Sequence, residues 1–189
     1  MTTTPLVLQS LEDPGQQLKR VLVSPKDRRN ESWLQDMLFR HPELLPVDAF
    51  DDSFSPPIPL GREVSTERGP LDVLFVSPTG RLTIVETKLW KNPDKHRTVV
   101  AQVIDYAKEL ATWDYDRLCD AVLTASRRRG EIDKVSLEEK VSDALGRDGT
   151  PLHEFQELVS ASLSQGEFLL LIAGDRISPT IALLTQSIQ

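Results

Sequence analysis

The sequence predicts an α/β fold: a mixed sheet with a central antiparallel hairpin, flanked by helices and carrying a helical insertion between about Asp114 and Gln165. Three observations predict it. Extended runs rich in β-branched residues follow one another through the middle of the chain, from Ile58 to Thr66, Leu71 to Val76 and Leu82 to Lys88. Stretches with helical spacing of apolar residues lie before and after them. A fully apolar run, Phe168 to Ala173, comes late and reads as a strand buried on both faces.

The first helix is expected from about Asn30 to His41, with Asn30 as N-cap and Pro42 as stop. Its stripe is Leu34, Leu38 and His41, with Trp33 and Met37 beside it. Glu31 belongs to that stripe, and a carboxylate on an apolar face needs a reason. The helix dipole supplies an ordinary one. Six prolines between Pro42 and Pro70 exclude a continuous helix there, so the segment is a loop leading into extended structure. Asp48, Asp51 and Asp52 read as its solvated acids. Ile58 to Thr66 is the weakest strand of the meander. Ser77-Pro78-Thr79-Gly80 joins the other two, with Gly80 at the left-handed corner of a three-residue hairpin.

A helix from about Thr98 to Trp113 carries Val99, Val103, Ile104, Ala107 and Leu110. In the insertion, Leu118, Ala121, Val122 and Ala125 are periodic, and Ser136 with Glu139 forms a capping box. Thr150-Pro151 opens another helix, with Phe155, Leu158, Val159 and Ser162 on one face and Gly166 closing it. A last helix is expected from Ser178 through Leu184.

Composition bounds the function. At 189 residues, 39% hydrophobic and 27% charged, the chain is one ordinary globular domain spanning 1–189. A single cysteine, Cys119, excludes a disulfide framework or a multi-cysteine metal centre. No apolar run is long enough for a membrane helix, and no secretory signal opens the chain, so a cytoplasmic setting is expected. The net charge of −7 is not that of an obvious polyanion binder, so nucleic acid would need a local basic surface. His41, His96 and His153 show no ligand spacing, and no glycine-rich phosphate loop or Ser-His-Asp arrangement is present.

The hairpin carries the chemistry. With Pro78, Thr79 and Gly80 as its loop, the register pairs Val76 with Leu82, Leu74 with Ile84, and Asp72 with Glu86. Lys88 falls on the same face, and Leu71, Val73, Phe75 and Val85 on the other. Two opposed carboxylates repel unless a cation lies between them. Lys88 can be that cation, and so can a divalent metal such as Mg²⁺, which takes one or two carboxylates plus water and phosphate oxygens. Asp72, Glu86, Lys88 and a metal would compose a phosphodiester-hydrolysis site. A structural ion-pair cluster is the competing reading. Glu63, on the weak strand, rivals Glu31 as an extra acid.

The motifs Asn30-Glu31-Ser32-Trp33-Leu34-Gln35, Gly69-Pro70-Leu71-Asp72, Val85-Glu86-Thr87-Lys88 and Gln102-Val103-Ile104-Asp105-Tyr106 stand in this order on the expected elements. In this the sequence resembles the PD-(D/E)xK nuclease superfamily, with a leaning toward its RecB-like and Shedu-like branches. The resemblance covers about Asn30 to Leu110 and loosely the strand at Phe168; the family's Pro-Asp pair is Leu71-Asp72 here, with the proline one residue early. It implies a restriction-endonuclease-like core. It implies that Asp72 and Glu86 are metal ligands, helped by the Thr87 backbone carbonyl and Glu31, and that Lys88 is the catalytic lysine. Gln102 and Tyr106, one helical turn apart, would line the site, although a helix packed on a sheet has ordinary uses for both.

Two basic patches answer the charge objection. One holds Lys91, Lys95 and Arg97 just beyond Lys88, and the other is Arg127-Arg128-Arg129. Each reads either as a solvated surface or as a nucleic-acid contact. The expected function is Mg²⁺-dependent (Mn²⁺ as substitute) cleavage of DNA, preferred over RNA, by an endonuclease of phage defence or DNA repair. The alternative is a catalytically inactive module of the same fold that binds nucleic acid or a partner protein. A homo-oligomer and a fused or partner domain are both compatible with the sequence.

Overall fold

A computed structural model describes residues 6–7, 16–17, 30–89, 96–128, 136–145 and 151–174. Two short strands, β1 (Leu6–Val7) and β2 (Gln16–Gln17), pair antiparallel. The main sheet contains β3 (Ile58–Thr66), β4 (Gly69–Val76), β5 (Leu82–Lys88) and β6 (Phe168–Gly174), in that spatial order. The first three are antiparallel neighbours, and β6 runs parallel to β5, so the sheet is mixed. The helices are α1 (Glu31–Arg40), α2 (His96–Leu110), α3 (Tyr115–Arg128), α4 (Leu137–Leu145) and α5 (Leu152–Gln165). The last three lie between α2 and β6, in the stretch read as an insertion. The expected terminal helix from Ser178 lies outside the described residues.

Local chemistry sets the ends of these elements. Asn30 caps α1 by accepting the Trp33 N–H at 3.0 Å. The capping box before α4 forms, with the Ser136 N–H donating to Glu139 and the Glu139 N–H to the Ser136 hydroxyl. Gly166 closes α5 at φ 66°. Asp51 caps a short 3₁₀ turn through the Ser53 N–H, in keeping with a loop role for the acids there.

Both sheet faces are covered. Leu34, Leu38, Leu45 and Val47 pack on Val73, Phe75 and Val85. The opposite face, through Leu74, Val76, Leu82 and Ile84, meets buried residues of α2, α3, α4 and α5. The apolar stripe of α2 is rotated from the expected one. Val99, Val103, Tyr106 and Leu110 are buried, whereas Ile104 and Ala107 are half-buried. His41 is exposed and pairs with Glu43, because α1 has already ended there. Leu158 is also exposed, since the face of α5 that meets the sheet runs through Phe155, Val159, Ser162 and Leu163.

One expectation fails at β6. Its residues are half-buried throughout rather than fully buried. Leu169, Leu171 and Ala173 do address one core cluster, and Phe168, Leu170 and Ile172 the other. Among the described residues, however, β6 is the sheet edge, so an apolar run on both faces still lacks a neighbour on one side. No helix among the described residues is long and apolar enough to cross a membrane.

Candidate functional site

The β4–β5 hairpin forms with the expected register. Val76 pairs with Leu82, Phe75 with Thr83, Leu74 with Ile84 and Val73 with Val85. The ladder stops there. In an antiparallel pair the next hydrogen-bonded row would send the Thr87 N–H to the Leu71 carbonyl. Instead Asp72 Oδ2 accepts the Thr87 N–H at 2.7 Å and the Thr87 hydroxyl at 2.6 Å. A carboxylate has replaced a backbone carbonyl, and the directly opposed Asp72–Glu86 pair of the sequence reading is absent from the ladder.

The same row disturbs β3. Arg62 pairs with Val73 and Val64 with Leu71, which leaves Glu63 beside Asp72. Glu63 is the one non-glycine residue with positive φ among the described residues, at 51°. Side-chain alternation slips across this row. Arg62 reaches Asp36, Ser32 and Gln35 of α1, yet Val64, two residues on, packs in the opposite cluster. In β4, Val73 faces α1, whereas Leu71 packs with Tyr106 on the other side. The expectation that Leu71 shares a face with Val73 is therefore wrong. Strict period-two alternation does not survive the row that holds Glu63 and Asp72.

Glu86 is the most constrained carboxyl. It is 3% exposed, and its Oε2 has no hydrogen-bond partner. Burial is the main cause that pushes its pKa up from 4.5 to about 8; the Asp72 charge adds to it, the Lys88 ammonium opposes it, and Glu31 and Glu63 add smaller repulsions. Lys88 Nζ lies 3.2 Å from Glu31 Oε1 and makes no other ion pair among the described residues. The same Glu31 oxygen accepts the Leu89 N–H at 3.0 Å. Glu31 thus joins the start of α1 to the end of β5, and its charge is engaged by Lys88.

Gln102 and Tyr106 meet as their spacing implied, with Gln102 Nε2 donating to the Tyr106 hydroxyl at 2.8 Å. The Tyr106 hydroxyl in turn donates to the Pro70 carbonyl at 2.8 Å. Tyr106 is 1% exposed, and burial raises its pKa. Its ring is part of the core, and its hydroxyl holds β4 two residues before Asp72. Glu109, on the same helix, accepts the N–H groups of Glu67 and Arg68 in the β3–β4 turn. So α2 grips this hairpin at two points.

The basic residues are less concentrated. Arg128 donates to the Ser65 hydroxyl at 2.5 Å, and Ser65 pairs with Pro70, so this guanidinium lies toward the site end of β3. Arg127 is exposed beside it on α3, and Arg97 falls in the first turn of α2. Lys91, Lys95 and Arg129 lie outside the described residues.

Two contributors escaped the sequence reading. The Thr87 side chain was missed because alternation points it away from Glu86; only the broken ladder brings Asp72 to it. Glu109 was missed because nothing in a helix pattern marks a carboxylate that caps a distant turn. Its burial, 9% exposed, is the structural sign.

The residues fit a divalent cation. A buried carboxylate with an orphaned oxygen, raised by burial and by a second carboxylate, lacks a positive partner of its own. Asp72 and Glu86 would hold the ion. No group of three or more His, Cys, Asp or Glu side chains able to hold a metal occurs among the described residues. A two-carboxylate set suits Mg²⁺, which keeps several of its waters. Comparison with known proteins returns no match to this chain, whether among family models, curated proteins or solved structures.

Proposed function

We propose that this chain is a divalent-metal-dependent nuclease that hydrolyses phosphodiester bonds in DNA, built on a restriction-endonuclease-like core of the PD-(D/E)xK type. One observation carries the reading: the buried, unpartnered Glu86 carboxylate beside Asp72 at the end of the hairpin, with Lys88 two residues on. A bound Mg²⁺ or Mn²⁺ would supply Lewis-acid stabilisation of phosphoryl charge and lower the pKa of a bound water.

The rest is the work of the protein's own groups. Asp72 and Glu86 furnish the negative charge that binds the cation. Lys88 supplies a positive charge at the sheet end for the phosphate oxygens. Glu31 holds that lysine, and Tyr106, with Gln102 behind it, holds the strand that carries Asp72. Arg127 and Arg128 are suited to backbone phosphates. Phage defence and DNA repair are the settings proposed for such an activity.

The test incubates the protein with plasmid, linear duplex, single-stranded DNA and RNA, with and without Mg²⁺ or Mn²⁺. The expected result is metal-dependent cleavage of DNA that is lost in Asp72→Asn. Metal-independent binding without cleavage would favour the inactive module, and neither binding nor cleavage would overturn the nucleic-acid reading.

A further inference from the structure

We propose that the Thr87 hydroxyl is a positioning group for the metal site: it locks the Asp72 oxygen that takes the Thr87 N–H in place of a ladder carbonyl, and so presents the other oxygen. This inference rests on the metal-site reading above and gives Thr87 a side-chain role.

The geometry is specific. Both Thr87 donors converge on the same oxygen, Oδ2, at 2.7 and 2.6 Å. Bonds of this length to an ionised acceptor are the strong, charge-assisted kind. Asp72 Oδ1 accepts no hydrogen bond among the described residues. One donor alone would leave the carboxylate free to turn about its terminal torsion, which has a broad, soft profile. Two donors from one residue hold that oxygen more firmly than either alone. Thr87 is 1% exposed, so water does not stand in easily for a lost hydroxyl.

The consequence reaches Glu86. Because Asp72 takes the Thr87 N–H, the strands stop pairing after Val73 and Val85. The unpartnered Oε2 of Glu86 lies in the next row, beside that break. Thr87 therefore determines which Asp72 oxygen remains for a cation, beside the row where β4 and β5 no longer pair.

The substitutions separate hydroxyl from shape. Thr87→Val keeps the β-branched form that suits a buried strand and removes only the hydroxyl. Thr87→Ser keeps the hydroxyl. Calorimetric titration of the full chain with Mn²⁺ should show Thr87→Val binding on the order of 10- to 100-fold more weakly than wild type, the range for loss of a group that orients a ligand. Thr87→Ser should bind within about threefold of wild type, and both variants should melt within a few degrees of it in chelator. Should Thr87→Val fail to fold, Thr87→Ala takes its place with the same expectation. Wild-type affinity in a folded Thr87→Val, or equal losses in the Ser and Val variants, would overturn the inference while leaving the metal site standing. A wild type whose Mn²⁺ titration matches that of Asp72→Asn, with no binding in either, would remove the metal site and this inference together.

Discussion

The two ends of the β4–β5 hairpin are built from similar strand residues and behave as opposites. At the turn end, residues 77–81 leave no buried side-chain nitrogen or oxygen without a partner. The Ser77 N–H reaches the Arg81 carbonyl at 2.9 Å, Gly80 turns at φ 75°, and Arg81 pairs with Glu167 of the α5–β6 connection. At the other end a carboxylate displaces a backbone acceptor, a second carboxylate lies buried with an orphaned oxygen, and the neighbouring strand carries Glu63 with positive φ. The difference teaches where the fold concentrates its electrostatic cost. Strained and unpaired groups that the surrounding structure holds in place are the usual mark of a functional end.

The largest effect expected of this contrast is a pH dependence belonging to one end alone. Glu86 titrates near 8 in the folded chain and near its ordinary 4.5 when unfolded. Between those values the folded state holds a proton that the unfolded state has released. Stability without metal should therefore fall as pH rises from about 4.5 to 8, and level off above, by as much as a few kcal/mol. Glu86→Gln should flatten that slope. A divalent ion at about 100 times its dissociation constant should return roughly 2.7 kcal/mol, more fully at pH 8 than at pH 5. Melts across pH with and without Mg²⁺ measure this; a wild type that gains stability through the same window would break the comparison.

Next in size is Lys88→Ala. Loss of a positive charge that stabilises the transition state should lower cleavage on the order of 10²-fold or more. The melt should move little, because the ion pair with Glu31 is partly exposed. Lys88→Arg should not rescue, since the guanidinium differs in shape and hydration. Nicking rate and melt read on one sample decide it: a folded, fully active Lys88→Ala sinks the mechanism.

The turn end should respond in the reverse sense. A Cβ at Gly80 would come within 2.6 Å of the Leu158 and Val159 backbone, and its φ of 75° disfavours any side chain. Gly80→Ala should therefore cost about 2 kcal/mol or more, several degrees of melting temperature in a chain of this size. Cleavage well below the melt should be unchanged. An equal loss of activity and stability would mean that the two ends are coupled.

These ends were not equally legible from the sequence. The turn was readable because Pro78 and Gly80 impose their backbone angles whatever surrounds them, and the register followed. The acids and the lysine can be named from the sequence, but not their arrangement: the opposed Asp72–Glu86 pair that called for a cation does not form in the ladder. What pattern reasoning could not reach was the row where alternation slips. Leu71 changes face, Asp72 turns to Thr87, and Glu31 accepts from Lys88 and Leu89. Period-two reasoning assumes that the ladder continues, and the candidate site lies where it stops. Tyr106 meets Gln102 as their spacing implies, but its burial depends on a rotation of α2 that the apolar residues of that helix alone do not specify.

The smallest expected effect sharpens the comparison most, because it decides what Glu31 is for. Glu31→Gln keeps an amide oxygen able to accept the Leu89 N–H, and removes only the charge that faces Lys88. The two side chains are 40% and 29% exposed, so the ion pair contributes at most about 1 kcal/mol and is weakened by salt. The melt should therefore drop by no more than about 1–3 °C. Cleavage should fall only a few-fold, on the order of the same 1 kcal/mol, through a lysine held less firmly. The gap between variant and wild type should narrow at high salt. A metal-ligand role makes a different demand: Mn²⁺ affinity would fall about tenfold or more, as in Asp72→Asn, at any salt. Titrating Glu31→Gln with Mn²⁺ at low and high ionic strength separates the two. Unchanged affinity leaves Glu31 as the residue that aims Lys88, and a salt-independent loss adds it to Asp72 and Glu86 as a ligand.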